Sequence, residues 1–441
     1  MKKLVIALVL FLPSIVLAQP PGPPLTLEAA LAQGQANSER LAELQARSEA
    51  ADYATEGRRD ARLPIVSLQG GYMRTNHVQE FAVIAPGPTR EVVYPDIPDN
   101  FRSRLDLQWP IYTGGRTDAL IAAAAAERTA AGKDLDAARA DLRLEITRAF
   151  YAVLTARETE DVLRRALEAA QAHLEDVRSR LASGLIPPND VSSAEAQVSH
   201  ERVLAVDAAN LRGSAEADLE RLIGAPPGPM ALVDPASADN PLFSRVSDAA
   251  SVADLIARAL TSRPERQALE ARAASAGSRA TAASASRLPQ VGVGGGFDYA
   301  NPNPRNFPRQ SVWATSWDAS VNVTWTLWDG GRRGAEVGEA RATAAALRTR
   351  VGDFDRQVTY EVRARALELD SSRQAVRAAE DEVRAATEAE RVVGERYRAG
   401  VATPTDVLDA QVARLQAELD RTRAVANVRL AEARLERAIG Q

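Results

Sequence analysis

The chain contains no cysteine, which excludes a disulfide framework and an N-terminal lipid carried on a cysteine. Aromatic residues make up 5% of the 441 residues, too few for the cores of the two or three globular domains this length would otherwise suggest. There are three histidines, His77, His173 and His200. None is spaced as a metal-binding pair, and all three are expected on the solvated surface. After Ala18 no apolar run reaches the roughly eighteen residues of a spanning helix. Basic residues are in deficit: of 54 Lys and Arg, 52 remain once Lys2 and Lys3 are set aside, against 59 acidic residues, which argues against a nucleic-acid partner. Gly292, Gly294, Gly295 and Gly296 do not form a phosphate-binding fingerprint, because they fall inside a predicted strand; close backbone approach explains them better. No catalytic constellation is present, so the chain is not expected to be an enzyme or to hold a cofactor or metal.

What is present is a long-period repeat. Trp109, Gly114, Gly115 and Arg116 return as Trp325, Gly330, Gly331 and Arg332, a shift of 216. The same shift carries Gly184, Pro188, Asp190 and Val191 to Gly400, Pro404, Asp406 and Val407. It also carries Leu219-Glu220-Arg221 to Leu435-Glu436-Arg437. Helices with fixed neighbours must keep such a register; loops need not. Upstream, Arg62-Leu63-Pro64 matches Arg287-Leu288-Pro289 at a shift of 225, so a nine-residue difference lies between Pro64 and Trp109. Ahead of both copies, Lys2 and Lys3, the apolar stretch Leu4 to Val16 and the small-residue site Val16-Leu17-Ala18 read as a cleaved secretory signal over residues 1–18. The first structural repeat is then expected over 19–250 and the second over 251–441.

Helices dominate each repeat. From Asp118 to Ser183 there is no proline, and Gly132 is the only glycine. Leu163, Leu167, Ala170, Leu174, Val177 and Leu181 follow the spacing of a coiled-coil seam. Val376, Ala379, Val383, Ala386, Val393 and Tyr397 repeat it. Long helices are expected over about 116–183 and about 333–399, each roughly 100 Å in length. Gly184 and Gly400 suit left-handed caps. Return helices over about 190–223 and about 406–439 are expected to start from Asn189 and Thr405 as N-caps. A Pro-rich segment, 225–247, follows the first, and one further helix is expected over about 252–287.

The rest alternates with period two. In the strand pair expected over about 63–112, Val66, Leu68 and Tyr72 alternate with polar neighbours, as do Leu105, Leu107, Trp109 and Ile111. In the pair over about 288–328, Val291, Val293 and Phe297 do so, followed by Trp313, Trp317, Val321, Val323, Trp325 and Leu327. One apolar and one polar face in segments of about ten residues is the pattern of an outer-membrane barrel. A soluble β-sandwich would have little core from four strands, and Trp313, Trp317, Trp325 and Trp328 suit an interfacial girdle. A long polar loop holding Asn76 to Asn100 joins the first pair. Four strands cannot close a membrane barrel, for which about eight is the minimum, and lipid forbids an open edge. The barrel must be shared, by two subunits with eight strands or three with twelve.

The Leu-Pro strand openings, the Gly-Gly-Arg after the second strand of each pair and the Gly…Asp-Val at each helix turn, in that order and duplicated, resemble the outer-membrane efflux protein family, the TolC-type channel-tunnels. The resemblance covers nearly the whole chain after the signal. It implies a homotrimer with a shared twelve-stranded barrel, a coiled-coil helical tunnel through the periplasm, and a passive exit duct in a tripartite efflux or type I secretion system. The implied partners are a periplasmic adaptor protein and an inner-membrane transporter, with outer-membrane lipid around the barrel. Since the chain ends at Gln441, just after the last helix, the Pro-rich segment is expected to be most of the equatorial region.

The helix turns are the candidate functional regions. Asp406 and Asp409 are three apart and share a helix face. As first-turn acids, Asp190 and Asp406 also complement the helix dipole. Under threefold symmetry Asp406 and Asp409 would place six carboxylates around one opening, favouring cations. The resemblance places these aspartates at the periplasmic constriction, and Tyr397 near the Asp190 turn in a closed-state contact. Gly184, Leu185, Gly400 and Val401, together with Val191 and Val407, form the surface that an adaptor hairpin would contact. The copies differ here, with Ser193 in the first where the second has Asp409. The competing reading is a surface or periplasmic coiled-coil protein without a conduit, which would need a separate barrel or soluble domain.

Overall fold

The computed structural model describes residues 24–84, 90–228, 230–233 and 251–440. The signal at 1–18, and residues 229 and 234–250 of the Pro-rich segment and its flank, lie outside them. The first copy runs α1 (Leu27–Asn37), α2 (Glu39–Asp60), β1 (Ile65–Arg74), β2 (Phe81–Ile84), β3 (Arg90–Tyr94), β4 (Asp99–Tyr112), α3 (Arg116–Ala182) and α4 (Pro188–Ile223). The second runs α5 (Val252–Ser262), α6 (Pro264–Ala285), β5 (Gln290–Asn301), β6 (Ala314–Thr324), α7 (Arg332–Arg398) and α8 (Pro404–Ala438). The repeat is kept element by element: α1 and α2 map onto α5 and α6 at the shift of 225, and α3 maps onto α7 at 216. Packing nevertheless divides the chain into two units that each draw on both copies. One holds the described residues of 1–39, 139–255 and 362–438, the other those of 40–138, 256–361 and 439–441. A 67-residue helix such as α3 or α7 outruns any one packing neighbourhood, so it contributes to both.

In the second unit, β1-β4-β5-β6 form a four-stranded antiparallel sheet. Register puts Val66, Leu68, Leu105, Leu107, Phe297, Val293 and Val321 on one face, and Ser67, Gln69, Arg104, Asp106, Asp298, Asp318 and Ser320 on the other. Apart from the half-buried Val293, these apolar side chains are exposed. Aromatics gather near both strand ends. Tyr72, Phe101, Trp313 and Tyr299 pack in a chain, with Tyr299 and Trp313 stacked at 4.7 Å. Towards the other end, the Trp109 and Trp325 indoles donate to the carbonyls of Arg62 and Arg287 at 2.9 and 3.1 Å. From Phe101 to Trp109 is about 27 Å along the strand, which matches the apolar band of a membrane barrel, about 25 Å. Among the described residues, strands β1 and β6 have no partner on their outer sides.

Four expectations are corrected here. The return helices start at Pro188 and Pro404, so the N-caps are Pro187 and Thr403, not Asn189 and Thr405. Proline fixes φ and lacks the N–H that a first helical residue cannot use anyway. The helix expected over 252–287 breaks between Ser262 and Pro264 for the same reason. Strand β6 spans Ala314–Thr324, leaving Trp313, Trp325 and Leu327 as flanks. The polar loop after β1 carries its own hairpin, β2–β3.

Within the first unit, α3 and α4 close on the predicted seam: Ala170, Leu174 and Val177 bury against Ala194 and Val198. Two ion pairs are repeat-equivalent, Arg157 with Glu216 at 2.7 Å and Arg373 with Glu432 at 3.1 Å. Nearer the turns the copies diverge. Where the first packs Leu174 against Val198, the second has Glu390 paired with Arg414 at 2.8 Å. Leu25 bridges in parallel to Leu232, which fixes the described end of the Pro-rich segment.

Candidate functional site

Both long helices end in the same hydrogen-bonded turn. Gly184 N–H donates to Leu181 O at 2.8 Å and Leu185 N–H to Arg180 O at 3.0 Å. Gly400 and Val401 repeat this on Tyr397 O and Arg396 O, at 3.0 and 2.9 Å. This is the Schellman arrangement, and it requires left-handed backbone at the residue after the cap. Gly184 and Gly400 supply it, with φ of 73° and 77°. The next residue of such a turn commonly folds back onto the helix. Here it does not: Leu185 is 72% exposed and Val401 63%. Two apolar side chains therefore stand free at the turns.

The valines behave differently. Val407 is 7% exposed, and Val191 is half-buried against the α3–α4 core. Both brace their turns from beneath, which corrects their assignment to the contact surface. Each sits four residues after a helix-initiating turn and so faces the partner helix rather than the tip.

The aspartates also separate. Asp406 closes a capping box: its Oδ2 accepts from Thr403 N–H at 2.7 Å and Thr403 Oγ1 at 2.8 Å, while Thr403 Oγ1 accepts from Asp406 N–H at 3.2 Å. The backbone and hydroxyl donors of Thr403 hold the Asp406 carboxyl below its ordinary value of 3.8. Asp409, one turn on, is exposed. Its side chain makes no hydrogen bond or ion pair among the described residues. Asp190 is half-buried and accepts from Asn189 Nδ2 at 3.1 Å; its helix has no side-chain cap.

Tyr397, in the last turn of α7, is buried at 7% exposure against α3. The Arg180 guanidinium stacks 4.2 Å from its ring centroid, held there by Asp176 at 2.9 Å. The His173 ring centroid lies 5.9 Å away. Burial pushes the Tyr397 phenol up, opposed by Arg180 and reinforced by the carboxylates of Asp176 and Asp190. His173 is itself buried at 9% exposure, so its expected place on the solvated surface is corrected. His77 and His200 are exposed. The signal was available: His173, Asp176 and Arg180 fall at i, i+3 and i+7, which is one helix face. The Thr403-x-x-Asp406 box was equally legible.

A second polar constellation was missed altogether. On the polar face of the sheet, Arg104 bonds Asp298, Asp106 at 2.7 Å and Asp318 at 2.9 Å, tying β4, β5 and β6 together. Arg102 adds a 2.5 Å bond to Asp298. Gly296 leaves room for this guanidinium: a Cβ there would come within 2.1 Å of Arg104 Nη2. Among the described residues no group of three His, Asp or Glu is placed to hold a metal, and no helix is long and apolar enough to cross a membrane.

A sheet with an exposed apolar face, aromatic ends, a charged opposite face and two open edges defines a strand-built membrane protein, here joined in sequence to long helical hairpins. Comparison with known proteins narrows the class. The model of the family "Outer membrane efflux protein" matches residues 30–225 and 255–441. Outer membrane protein TolC of Vibrio cholerae is 26% identical over 391 residues, 86% of this chain and 82% of that protein. Among solved structures, CusC superimposes with a TM-score of 0.80 at 14% identity, covering 94% of this chain and 92% of its own. The outer membrane protein VceC of Vibrio cholerae gives 0.77 at 18% identity, covering 94% and 96%. The chain belongs to the outer membrane efflux protein family. It is a passive outer-membrane efflux channel rather than an enzyme, with its helical tunnel in the periplasm.

Proposed function

We propose that three copies of this chain form the exit duct of a tripartite efflux or type I secretion system, gated and docked at the two helix turns. Each copy would give β1, β4, β5 and β6 to a twelve-stranded barrel, and each repeat would give one helical stave to the tunnel. The observation that carries the gate is Tyr397, an aromatic ring from the end of α7 buried against α3 beside a stacked arginine. Contacts of this kind hold a helix end in one of two positions. The second hairpin is the one built to move, since an ion pair between Glu390 and Arg414 replaces the apolar pair Leu174 and Val198 of the first. Charged pairs in a partly buried seam tolerate hydration better than a close-packed apolar contact. Asp406 and Asp409 would supply the ring of six carboxylates, with Asp190 acting on the Tyr397 contact. Leu185 and Val401, on the backbones of Gly184 and Gly400, would meet the apolar tip of an adaptor hairpin.

Planar-bilayer conductance of the purified oligomer tests the ring. Asp406→Ala with Asp409→Ala should lower cation preference and relieve block by divalent cations; unchanged selectivity would leave Asp406 only its capping role and Asp409 none. Gly184→Asp or Gly400→Asp should abolish efflux in cells while the oligomer still assembles. Normal drug resistance in those cells would remove the docking assignment.

A further inference from the structure

We propose that His173 is a third member of the α3–α7 contact and makes it acid-labile, so that a proton on its imidazole releases Tyr397 and opens the turn. The inference rests on the gate reading of Tyr397. Two buried polar atoms of these rings, His173 Nε2 and Tyr397 Oη, meet no partner at hydrogen-bond geometry. A neutral imidazole is tolerated there because it packs as a flat ring at 5.9 Å from the tyrosine. A protonated one is not. It would be a buried charge on the same helix face as the Arg180 guanidinium, and Asp176, the nearby anion, is already engaged by Arg180 at 2.9 Å. The charged or titratable groups that face the imidazole are Asp176 and Arg180 on α3 and the Tyr397 phenol on α7; Asp190, on α4, acts on Tyr397. Burial pushes the imidazole below its ordinary value of 6.5; Asp176 opposes this and Arg180 adds to it.

The closed contact therefore binds fewer protons than the released one. It is fully stable above the ordinary histidine value and weakens as pH falls from there towards the lowered one. The duplication marks the pair as an addition to the common scaffold: at the shift of 216, Ala389 stands in place of His173, and Leu181 in place of Tyr397.

The purified full-length oligomer in planar bilayers, compared at about pH 7.5 and about pH 5.5, should show an open probability rising on the order of tenfold. His173→Phe and His173→Gln should hold the closed level at both pH values, and His173→Lys should be open at the higher one. An acid response kept in both neutral variants, or absent from the natural sequence, overturns the inference. Histidine hydrogen–deuterium exchange read by mass spectrometry gives a second measure. His173 should titrate below the ordinary histidine value of 6.5, and should move up towards it in Tyr397→Ala; an ordinary value in the unaltered protein would also overturn it. The gate reading fails separately, if Tyr397→Ala leaves open probability at about pH 7.5 unchanged.

Discussion

Asp406 and Asp409 share a helix face but answer to different forces. The first closes a capping box on Thr403, whereas the second has no partner among the described residues. Thr403→Ala should therefore cost about 1 kcal/mol of hairpin stability and leave ion selectivity nearly intact. Asp409→Asn should do the reverse, shifting reversal potential in a salt gradient without lowering the melting temperature of the oligomer. The cap has its own pH window. The Asp406 carboxyl titrates lower in the folded turn than when released, so its stabilisation is present above the ordinary aspartate range and is lost as pH falls through the lowered value. Melting curves of the natural sequence and Asp406→Asn should converge only in that strongly acid range. At this scale the sequence was partly legible. The glycines and the first-turn aspartates Asp190 and Asp406 were visible because a turn geometry and a repeat demanded them, Asp409 because it shares a helix face with Asp406, and Tyr397, as a site residue, only through the family resemblance. Thr403 was overlooked although its box is in the sequence, because Pro404 sets the cap two residues upstream of Thr405. His173 was overlooked because a polar residue outside the a/d seam reads as surface even when it shares a helix face with Asp176 and Arg180, and its burial is completed only by a ring arriving from a helix more than two hundred residues later.

Elements of the two copies superpose because the same few bonds are made twice. Asn37 Nδ2 donates to Ile223 O at 2.9 Å where α1 meets the end of α4. At the equivalent junction Ser262 Oγ donates to Ile439 O at 2.6 Å. Both carbonyls are helix-terminal acceptors with no intrahelical donor. Asn37→Ala and Ser262→Ala should each cost roughly 1–2 kcal/mol, and the double variant close to the sum, because the pairs share no partner and lie in different packing units. Chemical denaturation of the detergent-solubilised protein checks this, and a strongly sub-additive double variant would mean that the junctions open together. Helix and strand type were readable throughout from period and register. Two features were not. The break at Pro264 follows an N1 proline that a helical pattern tolerates, and the β2–β3 hairpin is a strand pair with no turn signal of the short, tight kind.

For the whole molecule, the open edges of β1 and β6 decide what can exist in a membrane. Within one chain these strands are separated by β4 and β5, so they lie about 14 Å apart. A disulfide needs Cα atoms within about 7 Å, and the chain supplies no cysteine of its own. Cysteines placed at Ser67 or Gln69 on β1 and at Ser320 or Asn322 on β6, one on each strand, can therefore bond only between neighbouring copies. All four positions lie on the polar face, away from lipid. The strands alternate in direction across the sheet, so β6 of one copy can meet β1 of the next in antiparallel register without a new topology. Mild oxidation of the purified oligomer should give a denaturing-gel ladder that stops at three chains for at least one of the four pairs, and no ladder for any single cysteine. A ladder stopping at two chains would fix an eight-stranded barrel with almost no aqueous bore. Such a bore is incompatible with an exit duct, so that single outcome would remove the trimer and the conduit together. A full set of pairs without any cross-link would show instead that the sheet edges are covered by something other than a second copy of this chain.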